Sequence, residues 1–304
     1  MASLRGTFWR ELFRYQIAHA TPSKSIAEVR HNLDRMGQRV KPPKAVRIER
    51  TWVEGLQADW LTPAAASADA RLLYLHGGGY ICGSFASHRG LVGNLAAACG
   101  LRTLMPEYRL APENPFPAAL EDSLWVYRRL LADGIAPHRL VLGGESAGGG
   151  LTIATLLAVR DEGLPLPAAA FALSPWTDLA ATGDSLHSRA RQDPWFKPEG
   201  VVPTAAYYVG DGCPTNPLIS PLYGDLAGLP PLLIHVGDYE ILRDDSTRLA
   251  EKARAAGVDV TLRVWEGMWH VFQTMAARVP EARRSVDEVG AWVQSRLGKA
   301  EGRG

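Results

Sequence analysis

Arg139-Leu-Val-Leu-Gly-Gly-Glu-Ser-Ala-Gly-Gly-Gly-Leu151 is the stretch on which the reading of this chain turns. Its first half, the apolar run up to Leu142, has the length of a buried strand, and Leu151 begins an apolar run to Ala158 with the length of a helix. Between them stands Gly144-Glu-Ser-Ala-Gly148, a Gly-x-Ser-x-Gly turn. A strand, such a turn and a helix in that order form a nucleophile elbow. The flanking glycines permit a sharp bend, and the serine hydroxyl stands exposed at the helix N-terminus on a strained backbone. A glycine-rich bend also serves any doubly wound sheet, so a catalytic Ser146 requires a base, an acid and an oxyanion hole elsewhere in the chain.

Upstream, His76-Gly-Gly-Gly-Tyr80 follows directly on the apolar run Arg71–Leu75. Three successive glycines strip side chains from a loop leaving a strand end, so backbone N–H groups can approach a ligand oxygen; this is the composition of an oxyanion hole. The expected donors are the N–H groups of Gly78, Gly79 and Ala147. A phosphate-binding loop would carry Lys and Ser/Thr after its last glycine, whereas Tyr80-Ile-Cys82 follows here.

In an elbow architecture the chain order runs serine, acid, histidine. Gly267-Met-Trp-His270 lies just beyond the last strand-like segment, Val260–Trp265, which makes His270 the candidate base. His19, His31, His88, His138 and His187 occur in polar or helical contexts, His235 sits inside an apolar run, and His76 belongs to the glycine loop. The acid must follow the run Pro231–Val236, where Asp238, Glu240, Asp244 and Asp245 occur. Asp244 and Asp245 read as the first turn of a helix, where carboxylates favour the dipole. Position alone leaves both Asp238 and Glu240 open.

The remaining pattern alternates strand-like and helix-like segments from residue 46 onward, which implies a mostly parallel sheet covered by helices on both faces, with an antiparallel opening pair at Val46–Trp52 and Gln57–Leu61. Residues 1–45 read as one or two helices ending at Lys41-Pro-Pro-Lys44, a helical cap segment preceding a catalytic domain over 46–304. A polar, Pro- and Trp-rich region between strands, around 175–225, is expected to add to the cap.

At 304 residues one large core is expected, and a net charge of +1 offers no single-sign field for nucleic acid or an anionic membrane. Cys82, Cys99 and Cys213 are odd in number and widely spaced, against a disulfide framework or zinc site. The N-terminus interleaves apolar and basic residues with no uninterrupted h-region, and no run approaches the roughly 20 apolar residues of a membrane span; a cytoplasmic protein is expected. Phe8, Leu12 and Tyr15, beside Trp9, give the first helix an apolar stripe expected to pack on the body of the protein.

Four motifs together resemble the bacterial hormone-sensitive-lipase-like esterases of the α/β-hydrolase fold: His76–Gly79, Tyr108-Arg-Leu-Ala-Pro-Glu113 with Phe116-Pro-Ala-Ala-Leu-Glu-Asp122, Gly144–Gly148, and Gly267–His270. The resemblance runs from about residue 45 to 297. In that family the acid lies in an Asp-Pro-Leu-Arg-Asp segment; laid on Glu240-Ile-Leu-Arg-Asp244, it puts Glu240 in the acid position, a departure from aspartate that keeps Asp238 in reserve. The resemblance implies a serine carboxylesterase acting on short- to medium-chain acyl esters through Ser146, His270 and Glu240. It needs no metal or cofactor and often forms a homodimer, and its cap aromatics, Trp176, Trp195, Phe196, Tyr207 and Tyr208 here, can line the substrate cleft. Amide, lactone or carbonate substrates, or a receptor without turnover, are the alternatives.

Overall fold

The computed structural model describes residues 2–301 apart from 22, 24 and 54. Its strands are β1 (Val46–Val53), β2 (Leu56–Pro63), β3 (Arg71–Leu75), β4 (Arg102–Pro106), β5 (Leu140–Glu145), β6 (Ala169–Leu173), β7 (Leu232–Gly237) and β8 (Val260–Trp265). They form one sheet in the order β1-β2-β4-β3-β5-β6-β7-β8, antiparallel where β2 meets β1 and β4 and parallel from β4 to β8.

Alternation along the strands builds two cores. Leu73 and Leu75 of β3 and Leu140 and Leu142 of β5 join one, together with the helices α4 (Ala118–Ala132), α5 (Ala147–Asp161) and α8 (Arg243–Ala255). Leu72, Tyr74 and Val141 point the other way, into a core shared with α3 (Phe85–Cys99) and α9 (Pro280–Glu301). Every residue of β5 and β7 is buried, as strands covered on both faces require. The α3 helix starts on a capping box between Ser84 and Ser87 and stops at Gly100, whose φ of 62° suits a residue without Cβ.

Before the sheet come α1 (Leu4–Ala18) and α2 (Ile26–Gly37). The Ser3 backbone N–H and hydroxyl donate to Glu281, which ties α1 to the start of α9. The expected apolar stripe of α1 requires correction. Phe8 and Tyr15 are 62% and 63% exposed, whereas Trp9 and Phe13, four residues apart on another face, pack on the body, with Phe13 4.8 Å from Trp195 and 5.6 Å from Trp269 between ring centroids. Between β6 and β7 the chain carries α6 (Ser185–Ser188) and α7 (Pro198–Val209). Among the described residues no helix is long and apolar enough to cross a membrane.

Candidate active site

Register alone gathers the site. Glu145 pairs with Leu173, Leu173 with His235, and Gly237 with Trp265, so the C-terminal ends of β5, β6, β7 and β8 form one edge from which the loops bearing Ser146, Ser174, Glu240 and His270 emerge. Ligands bind at this edge in open α/β sheets.

At the elbow the strain sits on the serine: Ser146 has φ 55° and ψ −125°, a region L-residues rarely occupy. Its N–H donates to Leu173 O at 2.9 Å, and its carbonyl accepts from the N–H groups of Gly150 and Trp176. The flanking glycines serve a different need from the one the sequence suggests. A Cβ on Gly148 would lie 2.1 Å from Leu75 O, and one on Gly144 would lie 2.3 Å from Gly148 O. Close approach of helix to strand, rather than left-handed φ, requires glycine at both places.

The His76–Tyr80 loop leaves β3 beside this elbow. Gly78 and Gly79 take φ of 117° and 62°, and a Cβ on Gly78 would meet Cys82 O at 2.1 Å. The Gly77 N–H is consumed by Glu145 Oε1. Those of Gly78 and Gly79 enter no backbone hydrogen bond among the described residues, and Ala147, as the first residue of α5, has no intrahelical acceptor. The N–H groups of Gly78, Gly79 and Ala147 thus enter no backbone hydrogen bond among the described residues. Thr204 and Trp176 bound the space over Gly79: a Cβ there would lie 3.0 Å from Thr204 Cγ2 and 4.0 Å from Trp176 Cζ3.

After β7 and β8, His270 Nδ1–H donates to Glu240 Oε2 at 2.9 Å. Glu240 is wholly buried, and its second oxygen accepts from Ser174 Oγ at 2.7 Å and from the Gly237 N–H. Ser174 Oγ also accepts from the Val271 N–H at 3.2 Å, so one hydroxyl holds both the carboxylate and the backbone after the histidine. With Nδ1 engaged as donor, the neutral His270 ring leaves Nε2 as an acceptor. Asp238 points elsewhere, into ion pairs with Arg189 at 3.2 Å and Arg243 at 3.3 Å. Asp244 and Asp245 occupy the first turn of α8.

The segment between β6 and β7 reaches this edge through Asp193. Its buried carboxylate accepts from the N–H groups of Trp195 and Phe196 and, with its other oxygen, from the Ile241 N–H beside Glu240. Phe196 is thereby held edge-on to His270, 4.8 Å between ring centroids. Trp176 and Tyr208 are buried, the latter stacked on Tyr80 at 3.7 Å, while Tyr207 is exposed. Sequence reasoning passed over Ser174 and Asp193; the available signal was their place, Ser174 directly after β6 and Asp193 just before the Trp195-Phe196 pair. No group of three or more His, Cys, Asp or Glu side chains could hold a metal ion among the described residues.

A family model described as the α/β-hydrolase fold matches residues 72–274, which span the glycine loop, the elbow and the histidine. An esterase of the bacterial hormone-sensitive lipase family superposes with a TM-score of 0.94 at 43% identity, covering 98% of this chain and 99% of that one. The chain belongs to this family. The chain is also similar to an acetyl-hydrolase of Streptomyces hygroscopicus, 45% identical over 80% of this chain and 81% of its own length. An esterase of Acinetobacter venetianus is 33% identical over 95% of this chain and 98% of its own. The eight-stranded, mostly parallel sheet with helices on both faces is the α/β-hydrolase architecture.

Proposed function

We propose that the protein, an ester hydrolase by family, works as a serine carboxylesterase in which Ser146 attacks the ester carbonyl. His270 Nε2 takes the serine proton, and Glu240 holds the imidazole in the tautomer that makes this possible. The tetrahedral oxyanion then lies among the N–H groups of Gly78, Gly79 and Ala147, each such donor contributing about 3 kcal/mol in comparable sites. His270 returns the proton to the leaving alcohol, and water repeats the cycle on the acyl-enzyme. The observation that carries this reading is the buried Glu240–His270 pair on the same sheet edge as the strained Ser146.

Short- to medium-chain acyl groups are the expected substrates, in keeping with Thr204 and Trp176 standing close over Gly79. Segments 1–45 and 175–225 act as the cap over that space, with Phe13 against Trp195 joining the two. A cytoplasmic setting agrees with three unpaired thiols, Cys82, Cys99 and Cys213. A homodimer has an available edge in β8, the last strand of the sheet, where Val264 is exposed. Rates on p-nitrophenyl esters of increasing chain length test the substrate class: the fastest turnover is expected on acetate to butyrate. A rate that keeps rising to long chains would overturn the acyl assignment, and full activity in Ser146→Ala would overturn the mechanism.

A further inference from the structure

Glu145, the variable residue ahead of the serine in the elbow, is buried and accepts from donors on three elements. Tyr74 OH of β3 donates to Oε2, while the Gly77 N–H and His88 Nε2 of α3 share Oε1, the latter at 2.9 Å. His88 meets acceptors through both ring nitrogens. Its Nδ1 faces Ser84 O at 3.2 Å, a carbonyl that can only accept, and Ser87 Oγ at 2.8 Å. The Ser87 hydroxyl also lies 2.9 Å from Ser84 O, and when it gives its proton to that carbonyl it presents a lone pair to the ring. A neutral imidazole has one N–H and cannot donate on both sides.

We propose that His88 is a largely enclosed imidazolium and a positioning residue of the reaction, holding through Glu145 the loop whose Gly78 and Gly79 N–H groups receive the oxyanion. The chain of contact is short: His88 fixes the carboxylate, the carboxylate fixes the Gly77 N–H, and the two donors follow at once in the sequence. This rests on the oxyanion role proposed for those two glycines.

The other groups around His88 fit a cation there. Glu107, after β4, adds negative charge, and its carboxylate accepts from the Phe85 N–H at the start of α3. His76, whose ring centroid is 5.2 Å away, stays neutral: burial first, then the charge of His88, pull it down to about 4. Its Nδ1–H donates to Gly77 O at 2.8 Å. For His88 itself burial opposes the charge, but Glu145, Ser84 and Glu107 outweigh it and raise the pKa. Burial likewise pushes Glu145 up, and His88, Tyr74 and the Gly77 N–H outweigh that and lower it. The pair therefore persists from below the usual carboxylate range to above the ordinary imidazole value. It is lost as pH rises through the raised value of His88 or falls through the lowered value of Glu145.

Nitrogen-resolved NMR of the histidine side chains in the full-length protein, from about pH 5 to 9, tests the charge directly. His88 is expected to carry protons on both ring nitrogens at neutral pH and to titrate above the ordinary imidazole value; a single proton at neutral pH overturns the proposal. In Glu145→Gln, which keeps an acceptor toward Gly77 and removes the charge, the His88 midpoint is expected to fall below the ordinary value, and an unchanged midpoint overturns it. His88→Gln is expected to lower kcat about ten- to a hundredfold with KM nearly unchanged; unchanged kcat, or a loss confined to KM, overturns the positioning role. The failure of the esterase mechanism would be told apart, since activity surviving in Ser146→Ala leaves the two-proton signature of His88 intact.

Discussion

Ser174 Oγ donates to Glu240 Oε1 at 2.7 Å, on the carboxylate oxygen that His270 leaves free. A carboxylate buried at the end of β7 needs acceptor sites filled on both oxygens, and β6 supplies one of them from the neighbouring strand end. Ser174→Ala removes that donor and the acceptor of the Val271 N–H together. Steady-state kinetics on p-nitrophenyl acetate are expected to give a kcat lower by about tenfold at similar KM, and denaturant unfolding a loss of about 1–3 kcal/mol. Wild-type kcat in this variant would contradict the account.

The elbow glycines are steric. An alanine at Gly148 brings its Cβ to 2.1 Å from Leu75 O and 2.3 Å from His76 O, both backbone atoms that cannot rotate aside. Gly148→Ala is expected to lower stability by about 3 kcal/mol and to abolish turnover, because the strand end it displaces carries the glycine loop. Thermal unfolding and activity of the purified variant check both.

Asp193 couples the segment between β6 and β7 to the loop bearing Glu240. Its removal leaves the N–H groups of Trp195, Phe196 and Ile241 without their acceptor. Asp193→Ala is expected to cost about 2 kcal/mol and to raise KM more than it lowers kcat, since Phe196 loses its hold beside His270 while the Glu240–His270 hydrogen bond keeps Ser174 and Gly237 as supports. Equal effects on both constants would show that Asp193 shapes the chemistry instead.

Asp245 gives a stability prediction with a defined sign. Burial chiefly, and Asp178 nearby, raise its pKa to about 8 against the opposing backbone donors from Thr177 and Asp178 and the charge of Arg248. A carboxyl raised in the folded state stabilises fully below its unfolded value, and that contribution is lost as pH climbs toward the folded value. Asp245→Asn keeps an acceptor for both N–H groups. Its stability relative to wild type is therefore expected to increase between about pH 4 and 8 and then level off. Denaturant midpoints across that range decide it; a pH-independent difference would contradict the raised pKa.

Much of the fold was legible because short apolar runs are bounded by Gly, Pro or charged residues; Arg71–Leu75, Arg102–Pro106 and Val260–Trp265 are strands with those bounds. Chain order was enough to put Ser146, His270 and both acid candidates, Asp238 and Glu240, into loops at one sheet edge. Side-chain direction within a loop was not legible. Glu240 rather than Asp238 turns inward because the backbone after β7 is tied down, the Asp238 N–H to Trp265 O and the Tyr239 N–H to Met268 O. A Cβ on Gly237 would close that space at 2.5 Å from Met268 O. The α1 face was misread for a related reason: Trp9 and Phe13 follow the helical period as well as Phe8 and Tyr15 do, and only the position of Trp195 and Trp269 selects between them. His88 looked like an ordinary helix residue because nothing in its own segment reports that Glu145 of β5 lies beneath it.

The most direct test of the proposed Ser146–His270–Glu240 triad is the rate at which an organophosphonate labels the enzyme, followed by mass spectrometry of the intact protein and its peptides. One adduct on the peptide containing Ser146 is expected, forming about a thousandfold or more slower in His270→Ala and Glu240→Ala and at nearly the wild-type rate in Asp238→Ala. Labelling at another residue, or a full rate in Glu240→Ala with a loss in Asp238→Ala, would contradict the account.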